Sequence, residues 1–150
     1  MWIAVGVVAA FLITFGGLGV LSWRRPAVGP IDGKLRACPK SPNCVCSQVP
    51  ADAEHTIAPL TFTGAPAEAW AKLQRVLADR PGARVVSADD KYVHVEFVSR
   101  LFRFTDDVEF LLDGPAGVVH VRSASRVGHS DLGANRARVE AIRQAFQAGP

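Results

Sequence analysis

Between Ala83 and Ser125, four strand-like stretches follow one another with almost no chain to spare between them. They cover residues 83–88, 92–98, 104–112 and 118–125. Asp89-Asp90-Lys91 and Asp113-Gly-Pro-Ala-Gly117 read as turns, rich in residues that tolerate tight bends. Parallel neighbours need crossovers of a dozen residues or more, so these strands can pair only antiparallel. Alternation then assigns the two faces of the sheet. Val93, Val95, Phe97, Val108, Phe110, Leu112, Val119 and Val121 share the apolar side. Tyr92, His94, Glu96, Asp107, Glu109, His120 and Arg122 share the other. A turn at 113–116 sets Glu109 opposite His120 and Asp107 opposite Arg122.

A short strand at 55–62 precedes this run, and a helix follows it. The helix opens near Pro66, a favoured first-turn residue, and stops at Arg80-Pro81-Gly82. Ala69, Trp70, Leu73, Val76 and Leu77 fall on one of its faces. A second helix at 132–147 puts Leu132, Val139, Ile142 and Phe146 on one stripe, with Asn135 in the middle. A buried amide must find partners, so Asn135 is expected to bond inward. Ser130 or Asp131 is the natural N-cap. The order strand, helix, four strands, helix predicts an α+β domain over 54–150. Its expected form is a single curved antiparallel sheet with two helices on one face, of the TBP-like or helix-grip kind.

The chain opens differently. Residues 2–23 carry no charge, and at 1.5 Å per residue these 22 residues span about 33 Å, enough for the hydrocarbon core of a bilayer. Trp2 and Trp23 sit where interfacial tryptophans are expected. There is no basic n-region and no small-x-small cleavage site, which favours an uncleaved transmembrane anchor at 1–23 over a signal peptide. Residues 24–53, with five prolines, read as a linker. Arg24-Arg25 after the span place the domain in the cytoplasm by the positive-inside rule. Cys38, Cys44 and Cys46, clustered within nine residues, favour an oxidising compartment. The expectation, resting on the cysteines, is a single-pass bacterial inner-membrane protein with its domain in the periplasm.

Of the 17 basic and 14 acidic residues, Arg24 and Arg25 account for most of the excess; without them the balance is 15 to 14. A nucleic-acid-binding surface is therefore not implied. The two arginines instead suit anionic lipid headgroups.

Two constellations carry chemistry. Arg122, Arg126, His129, Asn135 and Arg136 cluster where a strand passes through a polar loop into the last helix. Together with the free N–H groups of the helix start they are the candidate site for a phosphate or carboxylate. The competing reading pairs these arginines with Asp106, Asp107 and Asp131 as structural locks. On the polar sheet face His94, Glu96, Asp107, Glu109 and His120 are the alternative, as metal ligands or acid–base groups of a metal-dependent or hydrolytic enzyme. A solvated face with cross-strand charge pairs is the simpler account. No nucleophile motif such as GxSxG occurs, and adjacent His129-Ser130-Asp131 cannot form a triad among themselves. The cysteines allow a Cys38–Cys44 disulfide, a zinc site with His55, or reduced thiols packed under the sheet.

Three motifs together resemble the domain of unknown function 1499 family of bacteria and plastid-bearing eukaryotes. They are Cys38-Pro-x-Ser-Pro-Asn-Cys-Val45, Phe104-Thr-Asp-Asp-Val-Glu-Phe110 and Arg122-Ser-Ala-Ser-Arg-Val-Gly-His-Ser-Asp-Leu-Gly-Ala-Asn-Arg136. The resemblance runs from about residue 35 to 147. In the family's pattern Cys46 is usually serine, so this chain departs there; that weakens a three-cysteine zinc site and favours the Cys38–Cys44 pair. The family implies no activity and no cofactor. The expectation is a membrane-anchored, non-catalytic module that binds a small anionic ligand or lipid headgroup. A structural partner in a membrane complex is the further alternative; the expected partners are membrane lipid and no nucleic acid.

Overall fold

The computed structural model describes residues 21–49, 54–100 and 103–148, together with Val5 and Gly17. The expected span at 2–23 lies almost wholly outside them. Among the described residues no helix is long and apolar enough to cross a membrane. The elements are β1 (Cys44–Cys46), β2 (Leu60–Thr61), α1 (Pro66–Ala78), β3 (Ala83–Ala88), β4 (Tyr92–Val98), β5 (Thr105–Asp113), β6 (Val118–Ser125) and α2 (Ala134–Gln147). The strands form one antiparallel sheet in the order β1-β6-β5-β4-β3, with β2 also paired to β6. This is the α+β arrangement expected.

The helices cover one face because their apolar stripes have nowhere else to go. Ala69, Trp70, Leu73 and Leu77 of α1 and Val139, Ile142 and Phe146 of α2 join one core with Val93, Val95, Phe97, Val108, Phe110, Val119 and Val121. Trp70 brings a polar atom into that core and satisfies it by donating its indole N–H to the Asp89 carbonyl at 3.1 Å. The chain leaves α1 through Gly82, whose φ of +78° suits glycine alone; a Cβ there would also meet the Val98 carbonyl at 3.2 Å.

Four expectations need correction. The strand at 55–62 shrinks to Leu60–Thr61 because the preceding carbonyls are taken by α2. Arg136 donates to the Thr56 and Glu54 carbonyls, and Arg143 to those of Pro59 and Ala58. The turn between β5 and β6 is 114–117, so Asp113 pairs with Val118 and the register moves by two: Glu109 faces Arg122 and Leu111 faces His120. The last helix starts at Ala134, and Leu132 stands before it with φ +54° and 97% exposure, off the buried stripe. The stretch read as a linker supplies β1, an edge strand on β6 whose Val45 enters the core.

The first part of that stretch, with Ser22 and Trp23 before it, forms a strap over residues 22–46 that covers the polar face. Ser22, fully buried, accepts a hydrogen bond from the Thr105 N–H at 3.2 Å and donates to the Arg103 carbonyl at 3.4 Å. Arg25 then reaches Glu96, and the Gly29 N–H reaches Glu109. The strap turns at Ile31–Lys34, and buried Leu35 donates its N–H to Gln48. A disulfide between Cys38 and Cys44 ties its far end to β1. The sheet therefore lies between a helical layer and a thin irregular one.

Candidate functional site

The polar residues of β4, β5 and β6 are not a solvated face. Beneath the strap His94, Glu96, Asp107 and Glu109 are all at most 5% exposed. Such burial demands a partner for every charge, and the chain supplies them. Arg126, just past β6, lies flat between two carboxylates. It donates to Asp107 through Nε (2.8 Å) and Nη2 (2.7 Å), to Glu96 through Nη2 (2.6 Å) and to the Ser22 carbonyl through Nη1 (3.1 Å). His94 Nε2 stands 2.7 Å from Asp107. Glu109 accepts from Arg122 at 3.0 Å, from the Tyr92 hydroxyl at 2.9 Å and from the Gly29 N–H at 2.7 Å. Arg25 completes Glu96 at 2.8 Å. Three carboxylates thus meet three guanidiniums.

Burial by itself would push the Glu96 and Asp107 carboxyls up. The bonds from Arg126 and Arg25 to Glu96, and from Arg126 and His94 to Asp107, outweigh it and hold both below the usual carboxylate range. The bonded Asp107, against the cost of burial and with help from Glu96, raises Arg126 further above its ordinary value. Burial and the neighbouring Glu109 push the Tyr92 phenol up. Glu96, Asp107 and Arg126 are thereby held in their ionic forms and Tyr92 in its neutral one, which makes a lock. A general base needs the opposite: a group poised to change state.

The alternative metal set is not drawn together. The Arg126 guanidinium occupies the position between Glu96 and Asp107 that a cation would take. His120 sits on β6, two strands from His94 on β4, and turns to Ser47 and Asp113. Among the described residues no group of three or more histidine, cysteine or acidic side chains converges as metal ligands do. The zinc reading of the cysteines also falls, because Cys38 and Cys44 are joined and His55 faces the Ser41 carbonyl. Cys46 remains a free thiol, buried beside Arg122 and pushed up by that burial.

The five candidate anion ligands are split apart. Arg122 and Arg126 enter the buried network. Arg136 binds the Thr56 and Glu54 carbonyls. Asn135, fully buried as expected, lies on the helix side of the sheet. It accepts from Ser123 and donates to the Asn43 carbonyl (2.9 Å) and Ser125 (3.0 Å). His129 alone of the five is exposed and without a hydrogen bond or ion pair among the described residues. The N-cap is Gly133, in the left-handed conformation, and not Ser130 or Asp131 as expected; from outside the helix Asp131 accepts the Asn135 and Gly133 N–H groups. It does not bind an arginine; Arg138 takes Asp106 instead.

Ser22, Arg25, Gly29 and Asn43 are the participants that sequence reasoning missed. One signal pointed to Arg25. Three carboxylates on the polar face faced a single arginine there, an imbalance that the nearby Arg25 and Arg126 remove.

Residues 34–146 match the model of a family described as a protein of unknown function (DUF1499). The chain belongs to this family. No curated protein and no solved structure matches it. The DUF1499 match takes in β1, both helices and every strand of the buried network. It begins at Lys34, so the part of the strap that carries Ser22, Arg25 and Gly29 precedes it.

Proposed function

We propose that this DUF1499 protein is a membrane-anchored, non-catalytic module whose domain is held against the bilayer surface, where its ligand is a lipid headgroup. One observation carries the reading. Ser22 lies within the uncharged 2–23 run and yet is fully buried in the fold, bonded to Thr105, Arg103 and Arg126. A span ending there leaves no free linker, so the sheet end that holds Ser22 must sit at the interface. The small-anion alternative at 122–136 is less well supported, because its arginines already have partners. The non-catalytic part rests on a network in which each carboxylate is neutralised by a guanidinium. The Cys38–Cys44 disulfide supports a periplasmic domain.

The full-length chain should resist extraction by alkaline carbonate, and a C-terminal alkaline phosphatase fusion should be active. Release into the carbonate supernatant would remove the anchor. An inactive phosphatase fusion, with Cys38 and Cys44 open to thiol reagents, would place the domain in the cytoplasm.

A further inference from the structure

The sheet end that receives Ser22 brings exposed cationic and apolar side chains together. Thr105 pairs with Val98 across the β4–β5 hairpin, and the Arg126 N–H bonds the Thr105 carbonyl. The hairpin connection, the loop after β6 and the end of the apolar run therefore meet at one place. Arg24, Arg100 and Arg103 are exposed there, and none has an ion pair among the described residues. They contrast with Arg122, Arg126, Arg136, Arg138 and Arg143, each of which is bound. The nearby carboxylates are engaged: Asp106 by Arg138, and Asp131 by the backbone N–H groups of Gly133 and Asn135. Net positive charge is thus left over at this end.

Apolar groups are left over too. Leu21 and Trp23 are 54% and 62% exposed, and Leu132, in the loop after β6, is 97% exposed. Leu132 also holds φ +54°, a left-handed conformation that disfavours a residue with a Cβ. The folded chain gains no packing from that strain.

Resting on the anchored reading above, we propose that this end is a docking surface for an anionic bilayer. Arg24, Arg100 and Arg103 meet lipid phosphates, and Trp23 and Leu132 enter the boundary between headgroups and acyl chains. Cationic and apolar side chains side by side are what such an interface accepts. The occupant is a membrane because the chain itself leads there: the apolar run ends inside this surface. Arg25, next to Arg24, is not part of it, since it turns under the strap to Glu96.

The test uses the full chain reconstituted in nanodiscs of phosphatidylcholine alone or with one third phosphatidylglycerol. Hydrogen exchange is followed in peptides covering the hairpin connection and the loop at 126–133. Anionic discs should slow exchange in both by at least about tenfold, since each arginine near such a surface favours binding severalfold. The Arg24→Gln/Arg100→Gln/Arg103→Gln variant should lose the difference while keeping wild-type protection in β4, β5 and β6. A single Leu132→Ser variant should lose part of it. Equal exchange in both discs, for a chain that resists carbonate, would overturn the surface and leave the anchor standing. Extraction by carbonate would overturn the anchor itself. Slowing by inorganic phosphate in phosphatidylcholine discs would make the ligand a small anion and also overturn the proposal.

Discussion

Asn135 shows how one side chain can decide where a segment lies. Its amide is fully buried and binds four partners: Ser123, Ser125, Arg138 and the carbonyl of Asn43. The Asn43 carbonyl also accepts the Ser125 N–H, so it joins the strap to β6 with Asn135 as the clasp. Replacing Asn135 by alanine leaves a buried carbonyl and two serine hydroxyls with fewer partners, and removes an acceptor from Arg138. Unmet buried groups cost about 1–3 kcal/mol. Urea unfolding of Asn135→Ala, in the full chain in mild detergent, should show a loss of that size with an unchanged slope. A loss under about 0.5 kcal/mol would mean water replaces the amide freely.

At the scale of elements, the Cys38–Cys44 bridge closes a loop of only seven residues, but it fastens β1 to the strap. Chain-entropy arguments give about 2 kcal/mol for so short a loop. The Cys38→Ser/Cys44→Ser variant should be less stable by about that amount, and exchange should quicken first in 22–46 and last in β5. Uniform quickening across the sheet would mean the strap is no separate unit. The strap is also where sequence reasoning stopped short. Alternation with tight turns left the strands of 83–125 one arrangement, and the helical stripes had one face to cover, so both were legible. The β5–β6 register was not, since turns at 113–116 and 114–117 fit the same residues. Nor was the buried state of His94, Glu96, Asp107 and Glu109. A polar strand face looks the same in sequence whether water or a proline-rich segment covers it. Asn135 was legible because its apolar neighbours left it no exposed position.

For the molecule as a whole, the ionic layer under the strap makes stability depend on pH. Glu96 and Asp107 have folded values below their unfolded ones, so the unfolded chain binds more protons wherever acid begins to titrate them. Their contribution is complete above the unfolded carboxyl range, near pH 4 to 4.5, and is lost as pH falls through the folded values. Urea unfolding at stepped pH should therefore give a plateau from about pH 7 to 5 and a decline below about pH 4. The strap should loosen first, because Arg25 and Arg126 hold it through Glu96 and the Ser22 carbonyl. Glu96→Gln separates this cause from general acid repulsion. It leaves Arg126 bound to Asp107 but removes one depressed carboxyl and weakens two charged hydrogen bonds, so the variant should lose about 1.5–3 kcal/mol at pH 7. Below pH 4 its stability should fall less steeply than that of the parent chain. Parallel curves for the two would place the acid sensitivity in other carboxylates and leave the buried network a purely geometric lock.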